Sequence, residues 1–261
     1  MSERLAKPLP PAFELVVASD PIAAAGRWLT DCLRRLAARP GEAEIRLAIP
    51  GGSALAAVAR AASDLGDVWR RVALVWVDER CVPVASPDSN RGEAMRLGIL
   101  TPESGIKTHR ARPVSPARVL PLFEDGEAPE AALTRIGRRY VDEFSGGLDV
   151  TVLGMGEDGH VASLFPDHES RRTGFVAFVS DSPKPPARRI TLTRAALASA
   201  EHTLLLASGE PKRSALERLC AGDPTLPATG LPGLVIVTDL VLASSGAGAA
   251  AAATAPARVG A

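Results

Sequence analysis

The chain carries no net charge: 30 Lys and Arg balance 30 Asp and Glu over its 261 residues. Nucleic acids and anionic membrane surfaces select a basic face, so this balance speaks against both as partners. It leaves room for a local basic pocket that takes one phosphate. No apolar run approaches the roughly 20 residues needed to cross a bilayer. The segment Met1-Ser2-Glu3-Arg4-Leu5-Ala6-Lys7-Pro8 also lacks the apolar stretch of a secretory leader. Cysteine is scarce: Cys32, Cys81 and Cys220 are odd in number, scattered, and in no Cys-x-x-Cys pair. Free thiols in a reducing cytoplasm fit that pattern better than a disulfide framework. No internal repeat is visible.

What the chain does have is alternation. Strand-like and helix-like segments follow one another, the signature of a mostly parallel sheet covered by helices. Residues 23–38 show helical periodicity, with Trp28, Leu29, Cys32, Leu33 and Leu36 on one stripe. Residues 45–49 read as a strand that turns through Gly51-Gly52-Ser53 into an alanine-rich helix at 54–62. The apolar run 72–77 suits a strand buried on both faces. Residues 78–90 read as irregular, followed by a helix at 91–100 and another at 131–144. Further strands are expected at 149–153, 175–179, 203–207 and 233–237, with a helix at 212–219. Residues 1–243 therefore read as one α/β domain, and 244–261, nearly all alanine and glycine, as a disordered tail.

The densest signal is Gly154-Met155-Gly156-Glu157-Asp158-Gly159-His160, which follows a run of β-formers. Such a turn delivers an acid and an imidazole to the carboxyl edge of a sheet. Its Gly-x-Gly-x-x-Gly spacing also matches the dinucleotide fingerprint. That fingerprint needs a long helix after the third glycine, and Pro166 comes only seven residues later. His160, near neutral in its titration, suits a general base. With Asp167 and His168 it matches no common zinc spacing, so no metal is expected, and His109 and His202 read as ordinary surface or packing residues.

Three other clusters border strand ends. Gly51-Gly52-Ser53 offers backbone amides to an anion, although Ser53 would serve equally as a helix cap. Asp78-Glu79-Arg80 places three charges after a buried strand, which is costly unless they face a wet cleft or one another. Asp88-Ser89-Asn90 suits a turn and a helix cap. Ser182-Pro183-Lys184-Pro185-Pro186, Arg188-Arg189 and Lys212 could form an anion-binding wall, Lys212 at a helix start. Lys184 and Arg188 taken alone read as solvated surface.

These motifs, with Ser163-Leu164-Phe165-Pro166 and Arg189-Ile190-Thr191-Leu192-Thr193, occur in the order found in the 6-phosphogluconolactonase family, and the chain resembles it over roughly residues 13–243. One departure is Ala54-Leu55, where that family commonly has threonine and proline. The resemblance implies a Rossmann-like α/β fold, no cofactor, and a phosphorylated six-carbon sugar lactone as the small-molecule partner. It also implies His160 as general base on water, with Asp158 and Asp78 orienting the imidazole or sugar hydroxyls. Gly51, Gly52, Ser53, Arg80, Arg189 and Lys212 become the candidates for phosphate and oxyanion contacts. The expected assembly is a monomer or weak homo-oligomer in the cytoplasm. The alternatives are an amino-sugar-phosphate deaminase or isomerase on the same fold, a non-catalytic sugar-phosphate sensor, and a dinucleotide-binding protein.

Overall fold

The computed structural model describes residues 13–41, 43–100, 115–166 and 174–242. In chain order the strands are β1 (Glu14–Val17), β2 (Ile45–Ile49), β3 (Val72–Trp76), β4 (Asp78–Arg80) and β5 (Arg118–Leu120). Then come β6 (Val150–Gly154), β7 (Val176–Val179), β8 (Arg189–Leu192), β9 (His202–Leu206) and β10 (Leu234–Thr238). The α-helices are α1 (Pro21–Ala37), α2 (Leu55–Leu65), α3 (Asn90–Arg96), α4 (Pro129–Phe144), α5 (Arg194–Leu197) and α6 (Arg213–Cys220).

Seven strands make one parallel sheet in the order β1-β10-β9-β6-β2-β3-β5. Its central members are aliphatic on both faces because helices cover both: every residue of β3 and β10 is buried. From β2 the chain moves outward through β3 to β5. It then returns through α4 to β6, on the other side of β2, and continues to β9 and β10. The order reverses between β2 and β6, so the loops leaving those two strands diverge and open a crevice. The loops concerned are Gly51-Gly52-Ser53 and the glycine-rich turn ending at His160. The doubly covered parallel sheet is the α/β, Rossmann-like arrangement expected from the alternation.

A second, three-stranded antiparallel sheet, β4-β8-β7, lies beyond the end of β3. Residues 78–90 are thus not wholly irregular, because Asp78, Glu79 and Arg80 pair with Thr191, Ile190 and Arg189. Local propensity gives no hint of a strand in three consecutive charged residues. They are held extended by distant partners, chiefly those that bond to Glu79. It is buried and accepts from its neighbour's amide at Arg80 (2.8 Å), from the amides of Asn90 (2.8 Å) and Arg91 (2.7 Å), and from the Ser89 hydroxyl (3.3 Å). Ser89 also caps α3, its side chain accepting from the Gly92 amide, as the Asp-Ser-Asn turn suggested. The edge strands β1 and β5 and the short helix α5 were not anticipated either. His109, Asp167, His168 and the 244–261 tail lie outside the described residues.

Candidate active site

The crevice at the sheet's carboxyl edge is a cavity of about 220 Å³. Its walls include Gly51, Gly52, Ser53, Asp78, Arg80, Asn90, His160, Lys184, Arg189 and Lys212, with Met155, Gly156 and Ala162 beneath the imidazole's turn. Every binding candidate read from the sequence lines it, as do two of the three catalytic candidates. The third, Asp158, stands behind the imidazole.

The turn after β6 is built to present that imidazole. Asp158 Oδ1 accepts from both the backbone amide of His160 (3.3 Å) and its Nδ1 (2.5 Å). The Gly156 amide donates to the His160 carbonyl at 2.8 Å and closes the bend. A Cβ on Gly156 would stand 2.0 Å from His160 Nδ1 and 2.5 Å from Asp158 Oδ1, so only glycine leaves space for the pair. Phe165 covers the ring, with 4.8 Å between centroids. Burial pushes the His160 pKa below its ordinary 6.5, against the hydrogen bond and charge of Asp158, which pull it up. Lys184 pushes it further down and Asp78 slightly up. Burial alone would raise Asp158, but the His160 hydrogen bonds and charge, aided by Lys184, win and hold the carboxyl below its ordinary value. An ionised acid on Nδ1 fixes the neutral ring with its proton on that nitrogen and its lone pair on Nε2.

The cations divide into two kinds. Lys212 follows β9, sits in a 3₁₀ turn (Glu210–Lys212) and immediately precedes α6, as its place in the sequence suggested. Arg80 donates from Nη1 to the Asp88 carbonyl (2.8 Å), while its buried Nε has no hydrogen-bond partner, a donor in want of an acceptor. Arg189 differs. It is 3% exposed, and its Nε and Nη2 are spent on the carbonyls of Pro186 (2.9 Å), Lys184 (2.8 Å) and Pro185 (3.2 Å). Its Nη1 lies 3.8 Å from Asp78 Oδ2. Burial lowers its pKa, and Asp78 opposes that shift. Arg189 therefore grips the loop at 184–186 and aims Lys184 into the cleft, where Lys184 Nζ comes 4.0 Å from Asp158 Oδ1.

Lys184, which the sequence offered within a possible anion-binding wall but as surface when taken alone, is a cleft cation. The signal was present in the rigid Pro-Lys-Pro-Pro run, but the arginine that immobilises it comes from β8. Arg188 instead lies over the Phe178 ring at 5.6 Å. In the glycine loop, Gly51 is required by close approach, since a Cβ there would stand 1.9 Å from Asn90 Oδ1. The Gly52 amide already donates to Glu93 Oε2 at 2.9 Å. Ser53 is exposed and does not cap α2, whose N-cap residue is Ala54. Among the described residues no cluster of three or more His, Cys, Asp or Glu is arranged to hold a metal ion.

Residues 18–236 match the family model described as glucosamine-6-phosphate isomerases/6-phosphogluconolactonase. The chain belongs to that family. It is 36% identical over 223 residues to the 6-phosphogluconolactonase of Streptomyces coelicolor, covering 81% of this chain and 83% of the relative. The human 6-phosphogluconolactonase is 31% identical over 226 residues, with 82% and 83% covered. Among solved structures, that of 6-phosphogluconolactonase from Thermotoga maritima superposes with a TM-score of 0.69 at 23% identity, over 87% of this chain and 98% of that one. A monomeric glucosamine-6-phosphate deaminase superposes with a TM-score of 0.64 at 18% identity. These two likenesses speak for the fold and not for one chemistry within the family.

Proposed function

We propose that this member of the family is an enzyme hydrolysing 6-phospho-D-glucono-1,5-lactone to 6-phospho-D-gluconate. The observation that carries the reading is the Asp158–His160 pair in a cleft rimmed by Lys184, Lys212 and Arg80. Relatives 31–36% identical over most of their length are named 6-phosphogluconolactonase, which supports the hydrolase over the isomerase branch. His160, neutral at pH 7, takes a proton through Nε2 from a water attacking the lactone carbonyl carbon. The imidazolium then protonates the ring oxygen as the C1–O bond breaks, and Asp158 offsets the positive charge between the two transfers. General acid–base catalysis of this kind contributes typically about 10²–10⁴-fold. Arg80, Lys212 and the Gly51-Gly52-Ser53 loop take the phosphate and the developing oxyanion, with the Gly52 amide passing from Glu93 to the anion. Lys184 joins them, and Arg189 serves by holding Lys184 in place.

The route employs side chains, backbone amides and water, so no cofactor enters it. No described helix is long and apolar enough to cross a membrane. The three cysteines are free, which suits a cytoplasmic setting, although plant relatives at 34–36% identity are named chloroplastic. The deciding experiment is a rate assay on freshly generated lactone with the spontaneous rate subtracted, run beside an ammonia-release assay on glucosamine 6-phosphate. Lactone turnover without ammonia supports the proposal, and the converse result replaces it with the deaminase reading.

A further inference from the structure

Two motif residues with no part in that chemistry converge on one carboxylate. Asp78 is 5% exposed. Its Oδ2 accepts from Ser163 Oγ at 2.6 Å, and its Oδ1 from Asn90 Nδ2 at 3.2 Å. The same Nδ2 donates to the Asp78 carbonyl at 2.8 Å. Ser163 and Asn90 are themselves buried, and they reach Asp78 from two separate later segments of the chain, 85 and 12 residues on.

Each is delivered by a separate device. Ser163 follows Ala162, whose φ of +53° is a left-handed conformation that an L side chain adopts only at a cost. That residue lets the turn from Val161 to Leu164 close, so one bend sends His160 to the cleft wall and Ser163 to Asp78, which lines the same cleft. The Ser163 amide donates to Thr191 Oγ1 at 3.2 Å, and Thr191 is the β8 partner of Asp78. Asn90 is brought by Glu79, which draws the first amides of α3 onto β4. Its side-chain amide has one workable orientation. Turned end for end, it would set Oδ1 against two Asp78 oxygens, whereas Oδ1 now rests, without a partner, in the space left by Gly51.

We infer that Ser163 and Asn90 are positioning residues for Asp78, locking its carboxylate in register with the turn that carries His160. A carboxylate has about four acceptor sites. With one on each oxygen filled, one on each remains for adjacent hydroxyls of a bound polyol, which Asp78 orients so that the carbonyl carbon meets the water held by His160. The substrate half of this inference rests on the proposed lactone reading; the geometric half does not.

The test is a double-mutant cycle in kcat/KM on the lactone. Ser163→Ala and Asn90→Ala should each lose about ten- to a hundredfold, mainly in kcat, as expected when a reacting group is displaced by about 1 Å. In an Asp78→Ala background either substitution should add less than about twofold, the limit of ordinary additivity. Equal losses in both backgrounds, or unchanged rates, overturn the inference, because a merely structural residue would not couple to Asp78. If Ser163→Ala fails to fold, Asn90→Ala carries the same cycle. A crystal structure of either variant gives a readout independent of the reaction. The Asp78 carboxylate turned away from its present orientation, toward Arg189 in Ser163→Ala, supports the inference, and an unmoved carboxylate overturns it. A wild-type protein inactive on the lactone would sink the functional reading alone, leaving the crystal structure to decide the positioning.

Discussion

Replacing Asp158 with asparagine removes one charge and leaves the shape of the imidazole's turn. The His160 backbone amide also donates to Oδ1, so the side-chain oxygen should stay where it is, still facing Nδ1. The tautomer is then preserved, and what disappears is the charge that stabilises the imidazolium. A hydrogen bond to a charged group contributes about 1.5–3 kcal/mol. The Asp158 side chain is 40% exposed, and solvent screening keeps the value at the lower end. At 1.36 kcal/mol per decade, kcat should fall roughly tenfold. The pH profile gives a second reading. Asp158 raises the His160 pKa, so its removal must lower that pKa further below 6.5. Activity requires the neutral ring and is lost as pH falls through the pKa, so the acidic limb of kcat/KM should move to lower pH. Stopped-flow hydrolysis of the lactone between pH 4.5 and 8 measures both. An unchanged plateau, or an acidic limb displaced to higher pH, would refute the assignment of Asp158 as the partner of a catalytic base.

Four further outcomes are expected. Gly156→Ala places a methyl group against His160 Nδ1 and Asp158 Oδ1 and should cost about a hundredfold in kcat while product binding is kept, measurable by calorimetry with 6-phosphogluconate. Arg189→Ala leaves three carbonyls and Asp78 without a buried cation and should destabilise the fold by roughly 3 kcal/mol, a fall of about 6–12 °C in Tm for a domain of this size. A thermal scan within 2 °C of wild type would show that Arg189 is not a structural clamp, using about 2 °C per kcal/mol as the smallest expected response. Lys184→Ala and Lys212→Ala should raise KM for the phosphorylated lactone more than they lower kcat, and equal affinity for 6-phosphogluconate would remove either from the anion site. Truncation after residue 243 should leave turnover and Tm unchanged if residues 1–243 are one catalytic unit, and a loss of either would assign the remaining segment a part in the fold.

The long buried strands were legible because their pattern is local. Residues 45–49 form β2 with the expected bounds, and the unbroken apolar run beginning at Val72 could only be a strand covered on both faces. The place of His160 at the cleft was legible for a similar reason, since a turn after a buried strand delivers its side chains to the carboxyl edge of the sheet. In the small antiparallel sheet, β7 was expected at 175–179, but the charged strand β4 was hidden because what stabilises it comes from elsewhere. Glu79 draws its hydrogen bonds from residues 89–91, and Asp78 draws its own from Asn90 and Ser163. The clamp made by Arg189 was hidden on the same ground. Beside a proline-rich run it reads as a phosphate ligand, and only the fold shows its Nε and Nη2 donating to the carbonyls of residues 184–186. Type and order of residues identified the cleft, but which side chains face a ligand and which hold others in place depends on contacts between distant segments.

The claim on which the rest depends is that one imidazole in a cationic cleft activates water for attack on a lactone. Steady-state hydrolysis of 6-phosphogluconolactone by wild-type protein and His160→Ala, with 6-phosphogluconate affinity measured in parallel, tests it directly. Turnover well above the spontaneous rate, reduced by about 10²-fold or more in the variant with affinity retained, is the expected result. Comparable turnover by the two proteins would contradict it.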